Sequence, residues 1–319
     1  MENINHPLLN WIPYKLIEKD NEVYFEWIYL EDKKFSDPFF EETMAICRSH
    51  FYNSTGFKAV STTENLIDWS QQLNSVPLNS LVFHVSRCGS TMLSQSLVTS
   101  SENIVISEAP LIDQILRTDL FNEVEKRTLI KAVLKLLGQK RFPEQKYFII
   151  KLDAWHIFKA SYLRSVFPEI PFALLYRDPK EVLKSHQKMF GMHMVPHVLP
   201  SAVFGITEKE ISEISIKQYG ALVLEKYFKG FLDFYKEDQN TIILNYNDGM
   251  KQVIERFISF IEIKYSVNEL DKMYARLNNH SKNENNVFTG DVYKSEALEI
   301  DLTKVNILHE KLSRNPVNI

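Results

Sequence analysis

The chain has 319 residues, of which 45% are hydrophobic and 24% are charged, and its formal net charge at pH 7 is −4. This composition excludes a disordered chain, and it argues against a protein that attracts nucleic acid through a large positive charge. Two cysteines give no disulfide framework, and no apolar run approaches the roughly 20 residues of a membrane span. The first residues lack the charged and apolar regions of a signal peptide, so we expect a cytoplasmic protein.

The chain is predicted to consist of an N-terminal extension, residues 1–78, packed on a main domain, residues 79–319. For the extension, the residue pattern predicts a strand over Val23–Leu30, a turn near Asp37-Pro38, and helices over Phe40–Phe51 and Thr63–Leu73. No motif falls within this region, so the sequence leaves its role open.

The first motif is a loop between a strand and a helix that is suited to bind an anion. The strand is predicted over Leu81–Val85 and the helix over Thr91–Leu97, which places Gly89 at the turn. Free N–H groups and the dipole of a helix N-terminus favour a phosphate, and Arg87 adds a full positive charge. The P-loop pattern G-x-x-x-x-G-K-[ST] is not met, because a histidine and a serine replace its first glycine and its lysine. Magnesium-ATP chemistry is therefore disfavoured.

The segment after the loop contains two predicted helices, Leu111–Leu116 and Glu123–Leu137, and then a strand, Tyr147–Ile150, that leads into Lys151. A basic run begins within the second predicted helix and continues beyond it, and we interpret it as a solvated helix face because the chain is acidic overall. The run comprises Lys131, Lys135, Lys140 and Arg141.

A second strand-to-helix turn offers a second anion site. The predicted strand Pro171–Tyr176 ends at Arg177, and Pro179 suits the first turn of the following helix. Ser185 lies about two helical turns later, on the side of the helix that we expect to face Arg177. A nucleotide with phosphates at its 5′ and 3′ positions needs two separate anion sites, whereas ATP needs one contiguous cradle.

These two motifs resemble those of sulfotransferases that use 3′-phosphoadenosine 5′-phosphosulfate (PAPS). The stretch Ser-Arg-Cys-Gly-Ser-Thr is similar to the family's loop for the 5′-phosphosulfate, and Arg177 with Ser185 is similar to its 3′-phosphate motif. Cys88 departs from the commoner serine. The resemblance assigns the 5′ side of the donor to Arg87, Cys88, Gly89, Ser90, Thr91 and Met92.

The segment between the motifs is more similar to the tyrosylprotein sulfotransferase branch than to enzymes that use a catalytic histidine. That resemblance makes Glu108 the candidate base and Lys151 a candidate electrophile, beside Arg87. Alternatives remain open, because Glu108 could be a helix-start carboxylate and Lys151 a solvated strand end. A base near the acceptor oxygen and cations near the leaving group are what sulfuryl transfer requires.

The resemblance implies PAPS as donor and an acceptor hydroxyl or amine, which we expect to belong to a small molecule. The transferred group is a monoanion, so no essential metal is expected. Lys294 is a candidate nucleotide contact in a C-terminal loop that also contains Lys282, although a plain surface loop is equally compatible with the sequence. Two alternatives remain, a small-molecule kinase on the same fold and a catalytically silent nucleotide-binding protein.

The second half of the chain is predicted to complete a three-layer α/β/α sandwich with a central parallel sheet, similar to P-loop NTPases. Gly191–Pro200 is interpreted as a substrate-side loop, and Pro196 makes packing or acceptor contact a better interpretation of its two histidines than a metal site. A capping box at Thr207 predicts one long helix that continues toward Asp238. The run Thr241–Tyr246 is predicted to be the last parallel strand.

Overall fold

The computed structural model describes residues 6–20, 22–280, 283–287 and 300–314. The strands are β1 (Trp11–Lys19), β2 (Glu22–Tyr29), β3 (Ala59–Thr62), β4 (Leu78–His84), β5 (Asn103–Ser107), β6 (Tyr147–Lys151), β7 (Phe172–Tyr176), β8 (Thr241–Asn245), β9 (Asn279–His280) and β10 (Asn283–Val287). The α-helices are α1 (Phe40–Cys47), α2 (Phe51–Ser54), α3 (Thr63–Gln72), α4 (Ser90–Leu97), α5 (Pro110–Arg117), α6 (Glu123–Leu137), α7 (Ala160–Val166), α8 (Pro179–Lys188), α9 (Glu208–Ser212), α10 (Ile216–Glu237), α11 (Met250–Phe260), α12 (Val267–Arg276) and α13 (Thr303–Ser313). Short 3-10 turns lie at Ala154–Lys159, Met192–Met194, Ser201–Phe204 and Tyr246–Asp248.

The central sheet contains five strands in the order β5-β6-β4-β7-β8. Strand β4 pairs in parallel with β7, β5 pairs in parallel with β6, and β7 pairs in parallel with β8. Helices alternate with these strands along the chain and flank the sheet. The predicted α/β class with a central parallel sheet is therefore confirmed.

Strands β4 and β7 are buried along most of their length. Leu81, Phe83 and Leu174 have no exposed surface. A strand that is covered by helices on both faces needs mostly apolar side chains, which is why β7 is a continuous apolar run and β4 contains the apolar run Leu81–Phe83. The predicted strands at Leu81–Val85 and Pro171–Tyr176 are confirmed to within a few residues.

The chain leaves β4 and β7 toward opposite edges of the central sheet. After β4 it continues to the edge strand β5, and after β7 it continues to β8 at the other edge. In open α/β sheets, ligands bind at such a switch point, outside the carboxyl ends of the strands. The residues that follow β4 and β7 therefore lie where this kind of fold binds ligands.

Contacts group the chain into two compact units. One consists of residues 1–80 and 94–151, and the other of residues 81–93 and 152–319. The sequence predicts a domain boundary at residue 78. These contact units do not test that boundary, so it stays a prediction.

The first unit contains an antiparallel sheet, β1-β2-β3, that the sequence predicts only in part. The predicted strand at Val23–Leu30 is confirmed as β2. Strand β1 contains Pro13, and the pairing of β1 with β2 shifts register between Pro13 and Lys15. A proline within an apolar run argues against a strand unless it lies at an edge or a bulge, so the sequence pattern did not identify β1.

Helix α6 has the bounds that the sequence predicts, because both of its ends carry strong signals. The Asn122 side chain accepts hydrogen bonds from the backbone N–H groups of Val124 and Glu125, and the Glu125 side chain caps Asn122 in return. Gly138 follows the last helical residue. An N-terminal capping box and a C-terminal glycine are the clearest helix boundaries in a sequence.

The prediction of one long helix from Thr207 to Asp238 is wrong. The Thr207 capping box opens α9, which has only five residues. A second capping box follows, in which the Ser215 side chain accepts the Gln218 N–H and opens α10. A serine at an N-cap accepts a hydrogen bond from a backbone N–H in the first turn of the helix that follows, and so it starts a new helix there. Within the described residues, α10 and the other helices are too short or too polar to cross a bilayer.

Candidate functional site

The loop after β4 has a backbone geometry that is typical of anion-binding loops. Ser86, Arg87 and Gly89 have φ angles of 67°, 50° and 84°, all in the left-handed region. The Ser86 N–H donates to His84 Nδ1 at 3.0 Å, which fixes the start of the loop. A turn with left-handed residues can direct backbone N–H groups into an anion-binding concavity, and α4 begins immediately afterwards at Ser90. The first N–H groups of α4 add to this set because they have no acceptor within the helix.

Cys88 contributes to this loop through its backbone rather than its side chain. Its thiol is fully buried and donates to the Leu175 carbonyl of β7 at 3.2 Å. The same carbonyl accepts the Val85 N–H at 3.2 Å. The side chain of Cys88 therefore anchors the loop to the neighbouring strand and does not face a ligand.

Tyr246 packs directly against the turn at Gly89. A Cβ atom at Gly89 would lie 2.4 Å from the Tyr246 ring, so no other residue fits there without displacing that ring. The guanidinium of Arg177 lies over the same ring, with its central carbon 4.3 Å from the Tyr246 ring centroid. Tyr246 therefore joins the loop after β4 to the residue that ends β7.

Arg177 is 6% exposed, lies between β7 and α8, and forms an ion pair with the first turn of α8. Its Nε donates to Glu181 Oε2 at 2.7 Å. The Asn247 amide reaches the same carboxylate oxygen at 3.4 Å, and Asn247 also accepts the Asp178 N–H at 3.1 Å. Ser185 lies one turn beyond Glu181 in α8 and is partly buried. Helix geometry puts Ser185 and Glu181 on the same face.

An open pocket lies at these residues, outside the carboxyl ends of β7 and β8. It combines apolar side chains with one cation, one carboxylate and one amide, a mixture that suits a flat apolar group carrying an anion. Its lining residues are Met92, Arg177, Glu181, Tyr246, Asn247, Gly249, Met250 and Leu277. Met92 belongs to the first motif and Arg177 to the second, so one residue of each motif lines the pocket.

Arg87 connects the loop to the predicted substrate-side segment. Its Nη2 donates to the Met189 carbonyl at 2.8 Å, just before Gly191–Pro200. His186 accepts the Gly191 N–H at 3.2 Å, and burial, followed by His193 and Arg87, lowers the His186 pKa to about 3. The start of this segment is thus held to both α8 and the loop.

The two histidines of this segment have different surroundings. His193 is buried and packs against the rings of His186, Trp155 and Tyr227. The side chain of His197 is 64% exposed and lies 3.6 Å from Glu208. Across the described residues, no group of three or more His, Cys, Asp or Glu side chains is arranged to hold a metal ion.

Glu108 and Lys151 form an ion pair in the first unit. Lys151 ends β6 and Glu108 follows β5, and these two strands pair in parallel up to Ser107 and Lys151. Lys151 Nζ lies 2.5 Å from Glu108 Oε1, and the Glu108 N–H donates to the Lys151 carbonyl at 2.8 Å. The Lys151 side chain is 2% exposed, against 25% for Glu108. Lys151 is thus a buried cation, not the solvated strand end that the sequence left open.

Glu108 has a φ of 57°, which is unusual for a residue with a side chain. Such a conformation costs of order 1–3 kcal/mol and persists where the surrounding structure imposes it. Here the backbone hydrogen bond to Lys151 and the side-chain ion pair both hold the residue. Glu108 therefore precedes α5 in a conformation that serves its contact with Lys151. The two C-terminal candidates, Lys282 and Lys294, lie outside the described residues.

No protein-family model matches the chain, and no curated protein matches its sequence. Solved structures do match. Sulfotransferase STF9 from Mycobacterium avium is 14% identical with a TM-score of 0.50, and the match covers 81% of this chain and 82% of that one. The chain has a sulfotransferase fold.

Two other solved sulfotransferase structures match less closely than STF9. The sulfotransferase domain of the Synechococcus PCC 7002 olefin synthase is 12% identical with a TM-score of 0.45, and the match covers 76% of this chain and 97% of that one. Mouse sulfotransferase SULT7A1 complexed with PAP is 14% identical with a TM-score of 0.37, and the match covers 69% and 73% of the two chains. At sequence identities this low, a structural match shows that the fold is similar and shows nothing more.

Of the residues that line the pocket, only Met92 and Arg177 were predicted from the sequence; Tyr246 and Glu181 are two that were missed. Tyr246 follows β8 directly, in the same way that Arg177 follows β7, so its position after an apolar strand was the available signal. Glu181 lies between the two residues of the second motif, and its spacing from Arg177 is that of a helical ion pair. The remaining motif residues lie in the elements that the sequence predicts.

Proposed function

We propose that the protein transfers the sulfuryl group of PAPS to an acceptor hydroxyl or amine of a small molecule. The observation that carries the proposal is the pocket to which Met92 of the first motif and Arg177 of the second both contribute. Two anion sites at a strand switch point suit a nucleotide that carries phosphates at both ends of its ribose. The sulfotransferase fold supports the same reaction class.

In this proposal the loop after β4 binds the 5′ side of the donor. N–H groups from Gly89 through Met92 donate to its oxygens, and Ser90 and Thr91 add their hydroxyl groups. Arg87 adds a positive charge. To reach the donor, its guanidinium gives up its hydrogen bond to the Met189 carbonyl. A serine occupies the place of the P-loop lysine, so the loop lacks the cation that nucleoside triphosphatases direct at the β- and γ-phosphates.

Arg177 and Ser185 bind the 3′-phosphate in this proposal. The Glu181 carboxylate now bonds to Arg177 Nε, where an incoming phosphate would compete for the same donor. A phosphate dianion is a stronger partner for a guanidinium than a single carboxylate oxygen, so it displaces Glu181 or shares Arg177 with it. Lys282 and Lys294 remain candidate contacts on the same nucleotide.

Glu108 acts as general base in the proposed reaction. The acceptor oxygen or nitrogen forms a bond to sulfur, and its proton passes to the Glu108 carboxylate. The bond between sulfur and the bridging oxygen of the 5′-phosphate breaks, and the electron pair stays on that oxygen. Lys151 and Arg87 stabilise this negative charge. The Lys151 ammonium is already buried beside Glu108, so donor and acceptor would meet a preformed acid–base pair.

The resemblance to the tyrosylprotein sulfotransferase branch is proposed only for the catalytic pair, Glu108 and Lys151. No essential divalent metal is proposed, because the transferred group carries a single negative charge and the loop and Lys151 supply positive charge. The acceptor is proposed to be a small molecule that binds along Gly191–Pro200.

Transfer of radiolabelled sulfate from PAPS to a panel of small hydroxyl and amine acceptors tests this proposal. Glu108→Gln should reduce turnover by about 10²- to 10⁴-fold, because the base is lost, while the affinity for 3′,5′-adenosine bisphosphate stays unchanged. Glu102→Gln is a matched control, since Glu102 pairs with Lys146 at the opposite ends of β5 and β6. Full activity of Glu108→Gln would disprove the assigned base, and nucleotide binding without transfer in the wild type would favour a silent binding protein.

A further inference from the structure

Lys151 has a second partner besides Glu108. Its Nζ lies 5.0 Å from the centroid of the Phe39 ring. A cation within about 6 Å of an aromatic face is attracted by the negative potential of that face. Since the Lys151 side chain is 2% exposed, the buried ammonium is compensated by a carboxylate and by an aromatic ring.

Phe39 comes from the N-terminal turn, which we define as residues 31–39. This turn belongs to the region before β4 for which the sequence indicated no role. Inside it, Lys33 forms an ion pair with Asp37 at 2.6 Å. Phe39 itself immediately precedes α1 and is partly buried.

The N-terminal turn is held in place by side chains from much later in the chain. Gln95 Nε2 of α4 donates to the Ser36 carbonyl at 3.2 Å. Arg141 Nη2 donates to the Lys33 carbonyl at 2.6 Å. Arg141 was predicted to lie on a solvated helix face, but α6 ends before it and its guanidinium packs 5.5 Å from the Phe35 ring centroid. These contacts hold the turn that leads into Phe39.

The two partners of Lys151 differ in one chemical respect. In the proposed reaction Glu108 takes a proton and loses its negative charge, so its attraction for the ammonium falls as the acceptor is deprotonated. An aromatic ring has no proton to gain, and its attraction for the ammonium is constant through the reaction. The ring therefore compensates the buried cation at the moment when the carboxylate does so least.

We propose that Phe39 is a positioning residue that holds the Lys151 ammonium in place while Glu108 is protonated. The N-terminal turn is then a working part of the active site. This inference rests on the proposed function, because it assigns Phe39 a role in the transfer step. The attraction between the Phe39 ring and the Lys151 ammonium is expected whether or not the protein transfers a sulfuryl group.

Steady-state kinetics of three variants test the role in transfer. Phe39→Leu should lower kcat about 3- to 10-fold and leave the KM for PAPS unchanged, because the lost attraction matters most in the transition state. Phe39→Tyr, which keeps an aromatic face, should restore kcat. Phe51→Leu makes the same change at a ring whose residue is 79% exposed, and it should behave as the wild type. Equal loss in the Leu and Tyr variants would overturn the proposal.

A double-mutant cycle on stability tests the contact without any assay of transfer. Phe39→Leu, Lys151→Met and the combined variant are compared by urea unfolding. The loss of stability caused by Phe39→Leu should be smaller when Lys151 is already methionine. Additive losses would overturn the inference. If Lys151→Met does not fold, the comparison of Leu with Tyr at position 39 decides. A coupled pair in a protein without transferase activity would instead show that the proposed function is wrong.

Discussion

Glu181 is the residue that most directly opposes anion binding in the pocket, because its carboxylate bonds to Arg177. Glu181→Gln should tighten the binding of 3′,5′-adenosine bisphosphate about 2- to 5-fold, the range expected when a partly exposed carboxylate competitor is removed. Calorimetric titration measures this change, and Glu213→Gln, at an exposed position beyond α9, is the control. Weaker binding in Glu181→Gln would mean that the carboxylate orients Arg177 rather than competing for it.

His186 makes the stability of the fold depend on pH. Burial, then His193 and Arg87, lower its pKa to about 3 from 6.5, so the folded protein keeps it neutral. The unfolded chain binds a proton as the pH falls below 6.5, so this residue favours unfolding between pH 6.5 and pH 3. The slope from one such group is at most about 1.4 kcal/mol per pH unit.

Urea unfolding at pH 7, 6 and 5 measures this dependence. His186→Gln should show a shallower loss of stability than the wild type over that range, because one titrating group has been removed. His197→Gln changes an exposed histidine and should follow the wild-type slope. Parallel curves for the wild type and His186→Gln would contradict the assignment of a neutral buried His186.

At the scale of the element, the turn between β4 and α4 depends on glycine at position 89. Gly89→Ala should abolish bisphosphate binding, because the added Cβ would lie 2.4 Å from the Tyr246 ring and the residue has a φ of 84°. Gly205→Ala is a matched control, since Gly205 also has a left-handed φ but has nothing within 4 Å of the added atom. It should lose only about 1–2 kcal/mol of stability and bind normally. Normal binding by Gly89→Ala would contradict the packing at the turn.

The elements that the sequence predicts well are those whose signals are local. Strands β4, β7 and β8 each contain a run of apolar residues, and α6 has a cap at each end. Strand β1 was missed because Pro13 interrupts its pattern at the point where its pairing shifts. The segment after Thr207 was predicted as a single helix because a capping box marks where a helix starts. It does not show where that helix ends, or that Ser215 starts a second one.

In the candidate site, too, some features follow from local sequence signals and others do not. The parallel pairing of β5 and β6 explains why Glu108 and Lys151, predicted separately, form one ion pair. The contact of Arg87 with Met189 and that of Phe39 with Lys151 join segments far apart in the chain, and no sequence pattern specifies them. Such contacts depend on tertiary packing, which a single sequence does not encode in any local period.

At the scale of the whole molecule, the protein carries a net charge of −4 and is proposed to bind a nucleotide with several negative charges. Long-range attraction cannot supply that affinity, so it has to come from local groups at the loop after β4 and at Arg177. We therefore predict that removal of the buried cation Arg177 weakens binding strongly, and that magnesium-ATP, which needs the P-loop lysine, binds poorly.

Calorimetric titration with 3′,5′-adenosine bisphosphate and, separately, with magnesium-ATP tests this central claim most directly. The wild type should bind the bisphosphate in preference to ATP, and Arg177→Ala should weaken that binding about 10- to 100-fold, because a charge-assisted contact to phosphate is lost. Preference for magnesium-ATP, or bisphosphate binding that is unchanged in Arg177→Ala, would contradict the two-anion site and the sulfuryl-transfer function built on it.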